Sequence, residues 1–242
     1  MNIRGLQRFS MVDYPGKMSC VIFTGGCNFR CPYCHNPCLV FDPESQPLIR
    51  EDELMAFLES RVNKLDGVVI SGGEPSLQPR LPDFAAKIKT LGFKVKIDTN
   101  ASNPGMVIAM HQAGTIDALG IDYKGPAEIY NKIACSTIPD LAARVHRLLE
   151  CAVDRHIPLD VRTTVHAALL SEDRLAEMRS ELNELGIKSW TLQQFNPVEV
   201  IDDGLLLLPT YSDRELLDIA ARLGNTRVRG LKGLYPEMYN VA

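Results

Sequence analysis

Six short segments of the chain are rich in Val, Ile, Thr and Phe and are bounded by Gly, Pro, Asn or Asp, a pattern that predicts β-strands. Residues between them carry the periodicity of helices. The six segments are MSCVIFTG at 18–25, GVVISGGEP at 67–75, FKVKIDTN at 93–100, IDALGIDYKG at 116–125, PLDVRTTVH at 158–166 and KSWTLQQFN at 188–196.

Three helices are clear from the intervening patterns. In DLAARVHRLLECAVDRH at 140–156, Leu141, Val145 and Leu148 fall on one helical face. In SEDRLAEMRSELNELG at 171–186, Ser171 is the expected N-cap and Gly186 the expected residue beyond the C-terminus. SDRELLDIAARLG at 212–224 predicts one more helix, and NTRVRGL at 225–231 predicts a short strand that covers an open sheet edge.

Strands that recur about every 30 residues with helices between them are typical of βαβ units and a parallel sheet. A closed eight-stranded barrel typically needs ~250 residues, and residues 1–17 and 196–242 do not obviously supply two more units. We therefore expect an α/β fold, a partial (β/α)6 barrel with outer helices. The prediction is one domain over 1–242, with a barrel core at about 18–195, an N-terminal segment at 1–17 and a C-terminal extension at 196–242.

Composition and charge narrow the possible functions. The chain has 242 residues, of which 45% are apolar and 23% charged, the usage of a globular protein. It has no apolar run near the roughly 20 residues that a membrane span needs, and its first 17 residues lack a secretory core. We expect a cytoplasmic protein. A net charge of −4 without a basic stripe disfavours nucleic acid as a partner.

Four of the seven cysteines, Cys27, Cys31, Cys34 and Cys38, lie within twelve residues. Clustered cysteines in a reducing compartment indicate a metal rather than disulfides. In Cys27-x3-Cys31-x2-Cys34, three thiolates can each bind one iron of a four-iron, four-sulfur cluster and leave the fourth iron open. Structural zinc is the alternative, with His35 nearby. Because all the ligands lie in one loop, the spacing favours the cluster, with Cys38 outside it.

Polar residues stand at the C-terminal ends of the other predicted strands, where parallel barrels carry chemistry. Gly72-Gly73 would let backbone approach a bound ligand closely, and Glu74 would accept from an ammonium group. Ordinary turns or caps account for any one of these positions, but jointly they favour a site. The remaining candidates are Asp98, Thr99 and Asn100 at the end of the third strand, Asp122 and Lys124 at the end of the fourth, and Arg162 and His166 in the fifth.

The cysteine spacing, with Tyr33 before the last cysteine and Gly72-Gly73-Glu74-Pro75 on the next strand, resembles the radical S-adenosylmethionine (SAM) superfamily. The opening segment GLQRFSMVDYPGKMSCVIFTGGCNFRCPYCHNP is similar to activating enzymes of glycyl radical enzymes, above all to anaerobic ribonucleoside-triphosphate reductase activating proteins. IDTN, DYKGP and LQQFNP resemble further signatures of that group. The resemblance covers the whole barrel and implies a TIM-like fold of the radical SAM type.

The resemblance implies that Cys27, Cys31 and Cys34 hold a 4Fe-4S cluster and that the open iron is chelated by SAM. A reduced cluster would cleave SAM to a 5′-deoxyadenosyl radical, which would abstract hydrogen from a glycine of a large partner enzyme. The expected partner is an anaerobic ribonucleotide reductase, and the expected electron donor is flavodoxin or ferredoxin.

Three alternatives remain open at this point. One is an activase of another glycyl radical enzyme, such as pyruvate formate-lyase. Another is a radical SAM enzyme that acts on a small molecule and resembles 7-carboxy-7-deazaguanine synthase. The third is a non-enzymatic zinc or electron-carrier module.

The resemblance also assigns roles toward SAM. Glu74, with the Gly72-Gly73 backbone, would meet the methionyl ammonium group. Tyr33 and His35 would lie near the cluster and the adenine. Near the SAM carboxylate and ribose, the resemblance implies three residues, which are Thr99, Asn100 and Arg162.

Asp98 and Asp122 resemble positions that bind a monovalent cation beside SAM in the pyruvate formate-lyase activating enzyme. Lys124 and His166 are similar to other active-site residues of that enzyme. Two positions depart from the pattern, because Ala101 stands where glycine is expected after Thr-Asn and Cys38 stands where a residue other than cysteine is expected.

Overall fold

The sheet of this protein is a partial barrel with eight strands. The computed structural model describes residues 1–196 and 198–233. The strands follow one another in sequence order; β1 and β2 are antiparallel, and all later neighbours are parallel. They are β1 (Ile3–Ser10), β2 (Ser19–Thr24), β3 (Gly67–Gly72), β4 (Lys94–Thr99), β5 (Ala118–Asp122), β6 (Leu159–Val165), β7 (Trp190–Gln194) and β8 (Thr226–Arg229).

Helices in the connections between parallel strands allow each strand to run in the same direction as the one before it. Among the described residues, none of these helices is long and apolar enough to cross a membrane. They are α1 (Pro37–Phe41), α2 (Glu51–Glu59), α3 (Leu81–Thr90), α4 (Pro104–Gln112), α5 (Tyr130–Ala134), α6 (Leu141–Asp154), α7 (Glu172–Glu184) and α8 (Asp213–Leu223).

All six predicted strands are confirmed as β2 to β7, and the short segment at 225–231 forms β8 at the sheet edge. No strand is predicted within 1–17, yet β1 lies there. Only its first and last residues are buried, and its pairing with β2 shifts register twice. An edge strand of this kind lacks the apolar alternation that predicts a buried strand. Pro197 of the LQQFNP signature and residues 234–242 of the predicted C-terminal extension lie outside the described residues.

The predicted helix ends are also confirmed. The Ser171 side chain accepts from the Arg174 N–H at the start of α7, and Gly186 follows its end with φ +75°. In α8, Ser212 and Glu215 form a reciprocal capping box, which satisfies N–H groups that the first turn would leave unpaired.

Two apolar layers lie on opposite faces of the sheet. The larger one packs the strands against the outer helices and contains Ile22, Ile70 and Ile97. A smaller cluster fills the barrel interior and includes Tyr14 and Val69. Above this cluster the interior becomes polar, at the carboxyl ends of the parallel strands. The fold therefore presents a polar chamber on an apolar floor.

The single tryptophan reports on the packing of β6 against β7. Trp190 is fully buried, and its indole N–H donates to Thr163 Oγ1 over 2.9 Å. Thr163→Val leaves that N–H without an acceptor, and a buried unsatisfied group costs about 1–3 kcal/mol. We expect the free energy of unfolding to fall by that amount, measured in urea by Trp190 fluorescence. Thr90→Val, on an exposed helix end, is the control, and an equal effect of the two changes would contradict this assignment.

Candidate active site

A cavity of about 280 Å³ occupies the chamber at the carboxyl ends of the strands. This volume is near the lower end of the range for small-molecule pockets, about 300–1,000 Å³. The cavity brings together most of the residues that the sequence singles out. Those that line it are Cys27, Cys31, Tyr33, Cys34, His35, Gly72, Gly73, Asp98, Thr99, Asn100, Asp122, Lys124 and Arg162. Glu74 and His166 do not.

The cysteine loop is fastened to its surroundings by main-chain hydrogen bonds. The Cys34 N–H donates to the Cys31 carbonyl oxygen over 3.0 Å, which closes a tight turn between the two thiols. The Arg30 N–H donates to the carbonyl oxygen of Ala134 at the end of α5. Cys38 lies in the first turn of α1 and is not among the residues that line the cavity.

Burial raises the pKa of the Cys27 thiol to about 11 and that of Cys31 to about 12, and it also raises the pKa of Cys34. The positive charge of Lys124 lowers the pKa of all three thiols, but burial outweighs this effect. These thiols are therefore neutral at pH 7 without a metal. A bound metal cation reverses this preference because it stabilises thiolates.

The cysteine loop fits a four-iron, four-sulfur cluster. Within residues 1–196 and 198–233, no three His, Cys, Asp or Glu side chains are close enough to share one metal ion. A cubane cluster makes no such demand, because each thiolate binds a different iron. Cys27, Cys31 and Cys34 line one cavity and satisfy the requirement of the cluster.

Gly72 and Gly73 lie so close to the backbone at the end of β2 and the start of the cysteine loop that neither position has room for a Cβ. Gly72 has φ +109°, and a Cβ there would overlap the backbone of Thr24. At Gly73 a Cβ would overlap the carbonyl oxygen of Gly26, which directly precedes the first cysteine. The two glycines line the cavity as expected, but the close approach that they permit is to the chain itself.

The Glu74 carboxylate is fully buried and bonded to protein donors. It accepts from the Ser76 N–H at 2.9 Å, from the Thr99 hydroxyl at 2.7 Å and from the Asn100 N–H at 2.6 Å. These bonds join the loop after β3 to the loop after β4. In this arrangement Glu74 positions Thr99 and Asn100, rather than facing the cavity as the sequence analysis expects.

The turn after β4 contains the position at which the sequence departs from its family pattern. Ala101 has φ +61°, a left-handed conformation that glycine adopts more easily. The turn expected from a glycine thus forms with alanine in its place. The Ala101 N–H donates to Thr99 Oγ1 over 3.0 Å, and the residue is fully buried.

Arg162 on β6 joins three strands inside the chamber. Its Nη2 lies 2.7 Å from Asp98 on β4, and its Nε lies 2.6 Å from Asp122 on β5. Burial alone would raise the pKa of Asp98, but Arg162 and Lys96 hold it below its ordinary value. Burial would also raise the pKa of Asp122, but the positive charges of Lys124 and Arg162 hold it below its ordinary value. Both carboxylates are therefore ionised at pH 7.

Tyr33 and His35 line the cavity beside the cysteines. The buried Tyr33 hydroxyl makes no hydrogen bond with any residue that the structure describes. Burial lowers the pKa of His35, which favours the neutral ring. Lys124 Nζ lies 5.7 Å from the centre of the Tyr33 ring. The hydroxyl thus keeps an unused hydrogen-bonding capacity at a buried position in the cavity wall.

His166 does not join the site. It is buried at the end of β6, where its Nε2 lies 3.2 Å from the carbonyl oxygen of Leu205. Its ring packs edge-on against Phe195 at 4.8 Å. The active-site role implied by the resemblance finds no support in this position, because His166 fastens the segment after β7 to the barrel.

Several charged or polar residues of the chamber are not among the sequence candidates. Gln193 on β7 and Arg229 on β8 line the cavity, and Lys96 and Asp160 lie in its ion network. Strand periodicity is the signal that could have found two of them. Lys96 precedes Asp98 by two residues and Asp160 precedes Arg162 by two, so each pair shares a face.

The fold and site together define an enzyme of the parallel α/β barrel class with a cysteine loop over a polar chamber. Residues 21–173 match the radical SAM superfamily. The chain belongs to this superfamily.

Two relatives are informative at the level of sequence. A protein of Methanocaldococcus jannaschii that is provisionally named a glycyl-radical enzyme activating enzyme is 28% identical over 240 residues, which cover 96% of this chain and 98% of that protein. The pyruvate formate-lyase-activating enzyme of Staphylococcus aureus is 33% identical over 105 residues, or 41% of each chain.

Solved structures support the fold. SuiB of Streptococcus suis, bound to its precursor peptide SuiA, aligns with TM-score 0.67 at 16% identity over 90% of this chain. The enzyme anSMEcpe with bound AdoMet aligns with TM-score 0.58 at 18% identity over 85% of this chain. The aligned region covers 50% of the length of SuiB and 61% of the length of anSMEcpe.

The contact between Gly73 and Gly26 can be tested by adding one methyl group. In Gly73→Ala the Cβ must displace the backbone beside the cysteine loop, and such overpacking typically costs about 1–3 kcal/mol. We expect this loss in the unfolding free energy of the metal-free protein, measured by circular dichroism in urea. Gly105→Ala in α4, where a Cβ meets nothing within 4 Å, is the matched control. Equal stability of the two variants would contradict the contact.

Proposed function

We propose that this protein is the activating enzyme of a glycyl radical enzyme. One observation carries the proposal: the three cysteines of the β2 loop and polar residues at the ends of β4, β5, β6, β7 and β8 line one cavity in a radical SAM chain. The relative that matches 96% of the chain has a name of the same class.

In this proposal Cys27, Cys31 and Cys34 hold a 4Fe-4S cluster, each through one iron. When bound and reduced, the cluster supplies one electron to SAM, which breaks to methionine and a 5′-deoxyadenosyl radical. The protein orients the reactants and excludes water. Arg30 stabilises the loop because its Nη1 donates to the carbonyl oxygens of Cys27 and Phe29 over 2.7 and 2.8 Å.

SAM occupies the remainder of the chamber. Tyr33 offers its unpaired hydroxyl, and His35 offers a neutral ring beside the adenine. Arg162 lies near the carboxylate and ribose. The Gly72-Gly73 backbone forms one wall. Glu74 acts on this site through Thr99 and Asn100, whose positions it fixes by hydrogen bonds.

The partner glycine must enter the chamber, because a primary carbon radical does not survive passage through water. The cavity reaches Arg229 on β8, which is an edge of the sheet, so it extends to the open side of the barrel. A loop of a large protein can approach along that side. Hydrogen transfer then leaves 5′-deoxyadenosine in the chamber and the radical on the partner glycine.

The proposed partner is an anaerobic ribonucleoside-triphosphate reductase, with flavodoxin or ferredoxin as the electron donor. The opening segment and the IDTN and DYKGP signatures support this choice. Pyruvate formate-lyase is the second candidate, favoured by the 33% identity to its activating enzyme over 105 residues.

Anaerobic reconstitution tests the cluster. We expect about four irons and four sulfides per chain, the content of one cubane. Cys27→Ala, Cys31→Ala and Cys34→Ala should each lose the cluster, as measured by iron and sulfide analysis and the visible spectrum.

Cys38→Ala is the matched control, since this cysteine belongs to the same loop region but lies outside the cavity lining. It should keep the cluster. Loss of the cluster in Cys38→Ala, or one zinc per chain without visible absorbance, would overturn the ligand assignment.

Radical transfer tests the activase function itself. The reconstituted protein, SAM and reduced flavodoxin should generate a glycyl radical in the anaerobic ribonucleotide reductase of the same organism, detected by electron paramagnetic resonance. A partner labelled with deuterium at glycine should pass that deuterium to 5′-deoxyadenosine, detected by mass spectrometry.

A partner with the target glycine changed to alanine is the control and should give no signal. A signal in pyruvate formate-lyase alone would favour the second candidate. Catalytic consumption of SAM with a small purine or pterin, without a radical in either partner, would refute the activase function.

A further inference from the structure

Lys96 is a fully buried lysine inside the barrel, on β4. Its ammonium group forms a hydrogen-bonded ion pair with Asp98, two residues along the same strand. Its Nζ also lies 3.8 Å from the Asp160 carboxylate on β6. A buried lysine is expensive unless it is paired, and Lys96 reaches a carboxylate on either side of β5.

Gly120 on β5 provides the space for this ion pair. Asp98, Gly120 and Asp160 are neighbours across β4, β5 and β6. A Cβ at Gly120 would overlap the Asp98 carboxylate and would lie only 2.8 Å from Lys96 Nζ. Because residue 120 is glycine, β5 has no side chain at the place where the Lys96 ammonium group lies against it.

The side chains of this network carry at least as many positive as negative charges, so the network needs no dissolved cation for charge balance. The basic members are Lys96, Lys124 and Arg162, and the acidic members are Asp98, Asp122 and Asp160. Each carboxylate contacts at least one of the three cations, and Arg229 also approaches Asp160 to 4.0 Å.

Every carboxylate oxygen of Asp98 and Asp122 already faces a cationic side chain. Asp98 accepts from Lys96 on one carboxylate oxygen and from Arg162 on the other. Asp122 likewise accepts from Arg162 on one carboxylate oxygen and from Lys124 on the other. The cation expected from the resemblance would have to bind beside a side-chain cation at each of these oxygens, against the repulsion between like charges.

We infer that Lys96 is a positioning residue that supplies, as a fixed part of the chain, the positive charge for which a soluble monovalent cation would otherwise be needed. SAM binding is therefore independent of Na⁺ and K⁺. The inference rests on the proposed function for its ligand. Lys96 acts through Asp98, which it holds in the position that orients Arg162 toward the chamber.

The experiment measures the Kd of SAM for the anaerobically reconstituted holoenzyme, by equilibrium dialysis without reductant. Each measurement is made in potassium, sodium and choline chloride at about 0.1 M, so that screening is equal. For the unchanged protein, the three Kd values should agree within about twofold, equivalent to less than about 0.5 kcal/mol.

Lys96→Met removes the charge and keeps the length of the side chain. Its SAM affinity in choline chloride should fall about tenfold, or about 1.4 kcal/mol, and K⁺ or Na⁺ should restore most of that loss. Lys96→Arg should behave as the unchanged protein does. Lys94→Met, on the same strand but exposed and paired with Asp117, is the matched control and should show no dependence on the cation.

A SAM affinity of the unchanged protein that rises about tenfold with K⁺ or Na⁺ would overturn the inference, even if Lys96→Met failed to fold. Equal loss of affinity by Lys96→Met in all three salts would also overturn it, because a purely structural role predicts that result. Failure of the proposed function looks different, since the unchanged holoenzyme would then bind no SAM in any salt.

Discussion

The candidate active site depends on one buried charge, the carboxylate of Glu74. An ionised group removed from water is costly unless hydrogen bonds replace its hydration. Burial raises the pKa of Glu74, and donors from Ser76, Thr99 and Asn100 act against that rise. Since Thr99 ends β4 and Asn100 begins the loop after it, the carboxylate is satisfied only when the end of β4 and the loop after β3 are correctly placed. The site is therefore coupled to the fold at this point.

The same coupling extends to the cysteine loop. The Glu74 N–H donates to the Gly26 carbonyl oxygen over 2.8 Å, next to the first cysteine. The Asn100 side chain then returns to this loop and donates to Asn28 over 2.8 Å. Three consecutive strand ends are thus joined in a closed ring of hydrogen bonds. A ring of this kind fixes the geometry of a site more firmly than separate loops do.

Much of this organisation could be predicted from the sequence because its signals are local. Strand composition located β2 to β7, and caps such as Ser171 located helix ends. The direction of the Glu74 side chain and the distance of His166 from the cavity depend on contacts remote in sequence, so no local pattern encodes them. The sequence does not reveal the buried position of Lys96, for another reason. A lysine in a strand is normally taken as exposed, although its place two residues before Asp98 puts it on the same face of the strand.

Ala101 affects the chamber before any ligand arrives. A left-handed conformation costs a residue with a Cβ roughly 1–2 kcal/mol, so the surrounding hydrogen bonds must maintain this turn. A glycine would have access to many more backbone conformations at the same position. The methyl group removes them and leaves the Thr99–Asn100 turn with less entropy to lose when a ligand binds. Ala101 therefore adds local strain but preorganises the turn. A sequence pattern that requires glycine at this position would not detect a chain that forms the same turn with alanine.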